Sequence, residues 1–166
     1  MPQPVDALVR IFRNQDAGLR IVADDGATVI SARPSDRTIT VEKDPYLQEG
    51  NDDARPQVVV GPVRGVSDDP FIGYQQAEVH VRVEIRIITR DWDSNTLGFT
   101  LADGDLTRNK VRDAIVSLVE NNRSNPASDG SIVAWWMSGP GTDANDKTQS
   151  PPKYMTTLQV ESMWLQ

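Results

Sequence analysis

The segment Ala77–Arg90 alternates between apolar and polar side chains and constrains the fold more than any other part of the sequence. Successive side chains of a β-strand point to opposite faces of a sheet, so this alternation predicts a long strand with one face against a core. The second face carries charges of both signs. The apolar set is Ala77, Val79, Val81, Val83, Ile85 and Ile87, and the polar set is Glu78, His80, Arg82, Glu84 and Arg86.

Two segments have the spacing of amphipathic helices. Apolar residues near the N-terminus recur at i, i+3, i+4 and i+7 and predict a helix over about residues 4–15. A second stripe predicts a helix over residues 105–122, with Asp103 or Asp105 as its N-cap because an aspartate side chain accepts hydrogen bonds from the first turn. The two stripes consist of Val5, Leu8, Val9 and Phe12, and of Leu106, Val111, Ile115, Leu118 and Val119.

Shorter extended patterns surround these three elements. The turn signal Asp24-Asp25-Gly26 predicts a hairpin between two of them. We therefore expect a single α+β domain over residues 1–166, with a mixed, mainly antiparallel sheet and the order helix, strands, helix, two strands. The predicted short strands are Leu19–Ala23, Thr28–Ala32, Thr38–Glu42, Gln57–Val60 (stopped by Gly61-Pro62), Ser131–Ser138 and Tyr154–Leu165.

Three polar segments are long, although a turn of a few residues could join the elements that each of them connects. They are Asp44–Pro56, Asp91–Gly104 and Gly139–Lys153, and each is predicted to be a surface loop. Doubling the length of a loop costs only about 0.6 kcal/mol of closure entropy, so fold stability neither demands nor forbids such segments. Their length therefore favours a role outside folding.

Catalytic chemistry has few candidate residues. The chain has no cysteine and one histidine, so any Ser-His-Asp site or histidine metal site would use His80. His80 lies between Glu78 and Arg82 on one strand face, where a carboxylate and a guanidinium could tune it as a base. No serine is placed by a motif to exchange a proton with it. We expect no catalytic residue and no enzyme activity.

Metal and phosphate motifs are incomplete. Asp91, Asp93 and Asn95 have the spacing that opens a calcium loop, but Thr96 stands where the sharp turn needs glycine, and Ala102 where a bidentate glutamate closes the cage. The Gly139-Pro140-Gly141 segment lacks the lysine of a phosphate loop. We expect no metal site and no cofactor.

Trp135 and Trp136 are adjacent on a predicted strand, so they should face opposite sides of the sheet. Either a helix covers each side, or one tryptophan contacts a partner chain, since tryptophan is enriched at protein interfaces. The closing strand also has apolar residues on both faces: Met155, Met163 and Leu165 oppose Tyr154, Leu158, Val160 and Trp164.

The formal net charge is −7. Aspartate outnumbers glutamate among the acidic residues, and arginine outnumbers lysine among the basic ones: the chain has 18 Asp, 6 Glu, 13 Arg and 4 Lys. A surface rich in aspartate and poor in lysine stays solvated at high salt, which is one interpretation; an ordinary acidic protein from a GC-rich genome is the other. An acidic chain is a poor candidate for binding nucleic-acid phosphates. No apolar run approaches the length of a membrane helix, and Met1-Pro2-Gln3-Pro4 does not open a signal peptide, so we expect no membrane partner.

The chain resembles the tail terminator (tail completion) proteins of long-tailed phages and archaeal tailed viruses. The resemblance rests on element order: the Val5-Asp6-Ala7-Leu8-Val9 helix, the Gln57-Val58-Val59-Val60-Gly61 run, the strand Ala77–Arg90, the helix 105–122 and the closing segment Tyr154–Gln166. It covers most of the chain and includes no short invariant motif. The aspartate-rich composition would suit a virus of a halophilic archaeon.

The resemblance implies a structural virion protein. Such a protomer forms a homohexameric ring on the head-proximal end of the tail tube, stops tube growth and joins tail to head. The implied partners are further copies of the chain, the tail tube protein and a head-side neck or connector protein, with DNA passing through unbound. The implied location is the virion tail or neck, after assembly in the host cytoplasm.

These expectations define the candidate residues and the alternatives. We expect Gly139–Lys153 to become ordered only by contact with a neighbouring subunit or the tube. One alternative is another neck or minor tail protein of the same virion; a second, of a different class, is a small-ligand-binding or regulatory α+β domain. The candidates for a subunit interface or ring lumen are Glu78, His80, Arg82, Glu84, Arg86, Trp135, Trp136, Met155, Met163 and Leu165.

Overall fold

A computed structural model describes residues 4–44, 55–70, 77–91, 101–124 and 132–165, with side chains placed except at 65–70, 77–79 and 164–165. Its elements form an α+β fold, as predicted. They are α1 (Pro4–Phe12), β1 (Arg20–Val22), β2 (Val29–Ser31), β3 (Thr40–Lys43), β4 (Gln57–Pro70), β5 (Ala77–Arg90), α2 (Gly104–Asn121), β6 (Ile132–Met137), β7 (Thr142–Asp146) and β8 (Lys153–Leu165).

The main sheet has β5 at its centre and the order β3-β4-β5-β8-β6, with β7 also paired to β8. Only the β3–β4 pair is parallel among the described strands. Strand β5 has the bounds that the alternation predicts. β1 and β2 form the predicted hairpin around Asp24-Asp25-Gly26, where Gly26 has a φ of 73°, and this hairpin is a two-stranded sheet of its own.

Strand β4 is longer than the sequence indicates, because the predicted stop at Gly61-Pro62 is wrong. The strand continues to Pro70 through two shifts of register against β5, between Val60 and Val63 and between Arg64 and Val66. Such bulges absorb a proline that cannot donate to a ladder. Gly61 has a φ of 114°, a conformation that side-chain-bearing residues rarely adopt.

The predicted loop Gly139–Lys153 is also wrong. Part of it is β7, an edge strand that pairs with β8 from Thr142 opposite Thr157 to Asp146 opposite Lys153. β6 and β7 follow the same side of β8 in succession, so they form one edge interrupted at residues 138–141. Hydrogen bonds to β8 therefore hold residues 142–146 against the sheet of their own chain.

Both described helices pack on one face of the sheet and share a single core with it. The α2 residues Val111, Ile115 and Val119 are buried in the same cluster as Leu8 and Phe12 of α1. The sheet contributes one set of alternate side chains to that core, which includes Val41, Val58, Val60, Val81, Val83, Ile85, Ile87, Ile132, Trp135, Leu158 and Val160.

Local hydrogen bonds set the ends of the helices. Helix α1 ends at Phe12 rather than near residue 15, because the Asn14 side chain accepts from the N–H groups of Asp16 and Ala17 at 3.0 and 2.9 Å and bends the chain. Asp103 is the N-cap of α2 and accepts from the N–H groups of Asp105 and Leu106 at 3.0 and 3.1 Å.

Gly104 brings the start of α2 against the end of β5. A Cβ atom there would lie 2.6 Å from the carbonyl carbon of Arg90, so the close approach requires glycine. The Thr89 hydroxyl donates to the Gly104 carbonyl at 2.6 Å. Neither helix in the described ranges is long and apolar enough to cross a membrane.

Candidate functional site

The face of the sheet that points away from α1 and α2 is the candidate functional site, and we call it the open face. On β5 the core takes Val81, Val83, Ile85 and Ile87, so the residues between them lie on the open face. Neither described helix covers it. Its described members include His80, Arg82, Glu84, Arg86 and Ile88 on β5, Met155, Thr157, Gln159, Glu161 and Met163 on β8, Ala134 and Trp136 on β6, and Arg64 on β4.

The two tryptophans lie on opposite sides of the sheet, as predicted. Trp135 is fully buried, and its Nε1–H donates to the Val119 carbonyl of α2 at 3.2 Å. Trp136 lies on the open face with its ring edge-on to the His80 ring, at a centroid distance of 5.9 Å and an interplanar angle of 75°. Both helices of the described ranges lie on the Trp135 side.

Glu161 joins β8 to the central strand on the open face. Its Oε1 lies 3.0 Å from His80 Nδ1, and its Oε2 lies 3.8 Å from Arg82 Nη2. One carboxylate thus faces an arginine and a histidine. The His80 ring is held between this carboxylate and Trp136.

A second group of ion pairs lies beside the first. Glu84 Oε2 is 3.3 Å from Arg64 Nε, and Glu84 Oε1 is 3.9 Å from Arg86 Nε. Arg86 also pairs with Asp44. The alternating charges of β5 therefore pair across strands within one chain, an arrangement that sequence spacing alone does not reveal because it depends on register.

The cations of these pairs are the more exposed partners. The Arg64 side chain is 61% exposed against 16% for Glu84, and the Arg82 side chain is 45% exposed against 21% for Glu161. The carboxylates lie close to the sheet surface, and the longer arginine side chains extend their guanidinium groups further toward solvent. At these two pairs the open face thus presents guanidinium groups rather than carboxylates to solvent.

The remaining predicted residues lie in the same region. Met155 and Met163 are partly buried on the open face, beside Ile88 and His80 in the register of β5. Glu78 and Leu165 are paired in the β5–β8 ladder, but their side chains lie outside the described residues.

The outer face of α2 has the opposite polarity. We define it by Leu106, Asp113, Ser117 and Glu120, which are exposed and recur at helical spacing. In the pair between Arg112 and Asp113 the carboxylate is the more exposed partner, at 79% against 34%. The prediction that Leu106 belongs to the buried apolar stripe is wrong, because the residue lies on this outer face and is 47% exposed.

The sequence pattern missed a buried arginine, Arg108, which ties α2 to the β7–β8 hairpin. Arg108 is only 4% exposed; it pairs with Asp105, hydrogen-bonds Asn145 and lies 3.6 Å from the Asp143 carboxylate. Its guanidinium carbon lies 6.0 Å from the centroid of the Tyr154 ring. Its position in the helix could have indicated its burial, because residue 108 lies on the same side of α2 as the buried apolar residues and directly follows the buried Thr107.

Asp91 supports the same corner of the fold. Its Oδ1 accepts from the Gly104 N–H at 2.8 Å, and its Oδ2 accepts from the Tyr154 hydroxyl at 3.3 Å. Burial and the negative charge of Asp91 raise the pKa of the Tyr154 hydroxyl, and Asp103 and Asp105 add to the effect. Asp91 thus has a structural role, while Asp93 and Asn95 lie outside the described residues.

A cavity of about 280 Å³ lies at the β3 edge of the sheet, between the end of α1 and the β2–β3 connection. Arg13, Arg37 and Glu42 supply its charged lining, and Ile39 supplies part of its apolar wall. The Arg13 guanidinium lies 3.4 Å from Glu42 and donates to the Val41 carbonyl, so one of the two arginines already has partners. Across the described ranges, no three His, Asp or Glu side chains come close enough to hold a metal ion.

No protein-family model matches the chain, and no curated protein matches its sequence.

Proposed function

We propose that the chain is a structural virion protein of the tail terminator kind, which forms a ring on the tail tube and joins tail to head. The observation that carries the proposal is the open face, a sheet surface that places Trp136, Met155 and Met163 among exposed arginines with neither described helix over them. The fold has the first helix, the long strand β5, the second helix and the closing strand β8 of the order on which the family resemblance rests, with β7 in place of the predicted loop before β8.

The composition of the open face is typical of protein interfaces. Interface cores are enriched in aromatic residues, methionine and arginine and depleted in lysine. The open face includes a tryptophan, two methionines and the arginines Arg82 and Arg86 of β5 and Arg64 of β4. Its charged groups are already paired within the chain, which lowers the cost of bringing a partner against them.

Native mass spectrometry of the purified chain tests the ring. We expect a closed oligomer, with a hexamer as the family resemblance implies. A monomer or a dimer at all accessible concentrations would contradict the proposal.

Tube assembly tests the position of the ring. Tubes grown from the cognate tail tube protein should stop elongating when the chain is added, and electron microscopy should place the added density at one end. Density on the head-side connector but not on the tube would favour the alternative of another neck protein.

The cavity at the β3 edge favours a second candidate, a small-ligand-binding or regulatory domain. Arg37 is exposed at its mouth, so the expected ligand is a small anion such as a carboxylate or a phosphate. A thermal shift on titration with citrate or inorganic phosphate, abolished by Arg37→Ala, would support this function. The Arg20→Ala variant is a matched control, because Arg20 is an exposed arginine outside the cavity lining.

A further inference from the structure

We propose that neighbouring copies in the ring associate face to back, with the outer face of α2 of one copy on the open face of the next. The inference rests on the proposed ring and specifies its interface. It starts from the unequal cover of the two sides of the sheet, since both described helices pack on the same side. A helix from the next copy would add a layer on the side of the sheet that the described helices leave uncovered.

Charge favours this pairing of surfaces over any other. On the open face the arginines Arg64 and Arg82 are more exposed than the carboxylates they pair with. On the outer face of α2 the order is reversed, since Asp113 is far more exposed than Arg112. Glu120 adds a second exposed carboxylate to that face. The two surfaces therefore present opposite charge to each other.

Other arrangements of two copies place like charges together. Two open faces would oppose arginines, and two α2 outer faces would oppose carboxylates on a chain that is already at −7. A face-to-back contact instead joins two different surfaces, which is a heterologous interface. Repetition of a heterologous interface closes into a ring when the rotation per subunit permits it.

Apolar groups on both surfaces can provide the buried centre of the contact. Leu106 is one of the large apolar side chains left exposed in the described part of the chain, and it lies on the outer face of α2. Trp136 and Met163 are partly exposed on the open face. A leucine against a tryptophan and a methionine, with charges around them, matches the apolar core and polar rim of specific interfaces.

Cross-linking through introduced cysteines tests the arrangement. The natural chain has no cysteine, so every thiol cross-link must come from the introduced positions. Ser117→Cys marks the α2 outer face, and Gln159→Cys marks the open face. Each single variant, a mixture of the two, and the double variant would be treated with a flexible bismaleimide. Ala27→Cys, in the exposed β1–β2 turn, is the matched control.

Face-to-back packing predicts a specific pattern of products. The double variant should give a ladder up to the full ring, the mixture should give dimers that link one single variant to the other, and each single variant should stay unlinked. A ring in native mass spectrometry whose single variants link to themselves, or whose mixture and double variant give no link, would overturn this inference and leave the ring standing. A chain that forms no ring would overturn both.

Charge reversal gives a second measurement that does not depend on linker geometry. Arg82→Glu should weaken association by about tenfold or more, and so should Asp113→Arg. Combined in one chain, the two changes restore opposite charges across the contact and should recover most of the loss. Equal weakening by the single and combined variants, with folding intact by circular dichroism, would overturn the face-to-back arrangement.

Discussion

The ring of Trp136 meets the ring of His80 edge-on at 5.9 Å, whereas its neighbour Trp135 lies fully buried on the other side of the sheet. One tryptophan thus stabilises the fold, and the other is available to a partner. Replacing each in turn should separate stability from assembly.

Trp135→Ala should lower the free energy of unfolding by about 3–5 kcal/mol, because it leaves a core cavity and removes the hydrogen bond to Val119. Trp136→Ala should cost only about 1 kcal/mol, since it loses one aromatic contact, but should abolish ring formation. Urea unfolding and native mass spectrometry measure the two effects. Val22→Ala, an exposed apolar residue on β1, is the control for Trp136→Ala. Normal assembly of Trp136→Ala would remove the open face from the contact.

Arg108→Ala should lower the free energy of unfolding by about 2–4 kcal/mol, because the change leaves Asp143 and Asn145 without their buried cation. Arg112→Ala, one turn further along α2 and more exposed, should cost less than about 1 kcal/mol. Urea unfolding of the two variants in parallel gives the comparison. Equal effects would mean that Arg108 contributes no more than a surface charge.

Stability should fall at alkaline pH partly through Tyr154. The folded state raises the pKa of this hydroxyl above its ordinary value of 10.0, so folding favours its protonated form. Its contribution is fully present below pH 10.0 and is lost as the pH rises through the folded-state pKa. Tyr154→Phe cannot titrate, so its urea midpoint should fall less steeply above that pH. Parallel curves for both proteins would refute the assignment.

Replacing Gly141–Gln149 by a two-residue turn should destabilise the chain by about 3 kcal/mol or more, since it removes β7 and the partners of Arg108. Lys147→Ala, in the exposed turn, should change the free energy of unfolding by less than about 0.5 kcal/mol. Thermal unfolding checks both. Retention of full stability by the shortened chain would show that β7 is dispensable.

Duplex DNA should not bind the purified protein at moderate salt. Each subunit carries −7, and DNA affinity depends on cations that displace condensed counterions from the phosphates. Fluorescence anisotropy with a labelled duplex measures it, with a basic DNA-binding protein as the positive control. Tight, salt-sensitive binding would contradict a channel through which DNA passes unattached.

Period-2 alternation predicts β5 and β8 because burial of one sheet face imposes it on the sequence. The segment Thr142–Asp146 carries no such signal, since the edge strand β7 is exposed and β8 alone determines its pairing. The continuation of β4 past Gly61-Pro62 escapes prediction because bulges are set by the partner strand.

The sequence predicts which β5 residues share the face of the candidate site, but it does not predict which residues they pair with. Alternation alone places His80, Arg82, Glu84 and Arg86 on one face. Their partners depend on the register of β8, which puts Glu161 opposite Arg82, and on a fold that brings Asp44 to Arg86. Arg64 and Arg82 are more exposed than the carboxylates they pair with. This difference depends on how each side chain runs over the sheet, which residue spacing does not encode.

The interrupted edge formed by β6 and β7 limits how this protein can aggregate. An unbroken strand edge offers free N–H and C=O groups to any extended chain, and natural proteins guard against such addition. Here Ser138 bonds inward to Gln159, Trp135 N–H is taken by the Arg123 carbonyl, and the polar strand β7 carries Asp143. Amyloid-like stacking along this edge is therefore disfavoured, so at high concentration copies of the chain would meet through their sheet and helix faces, as the proposed ring requires.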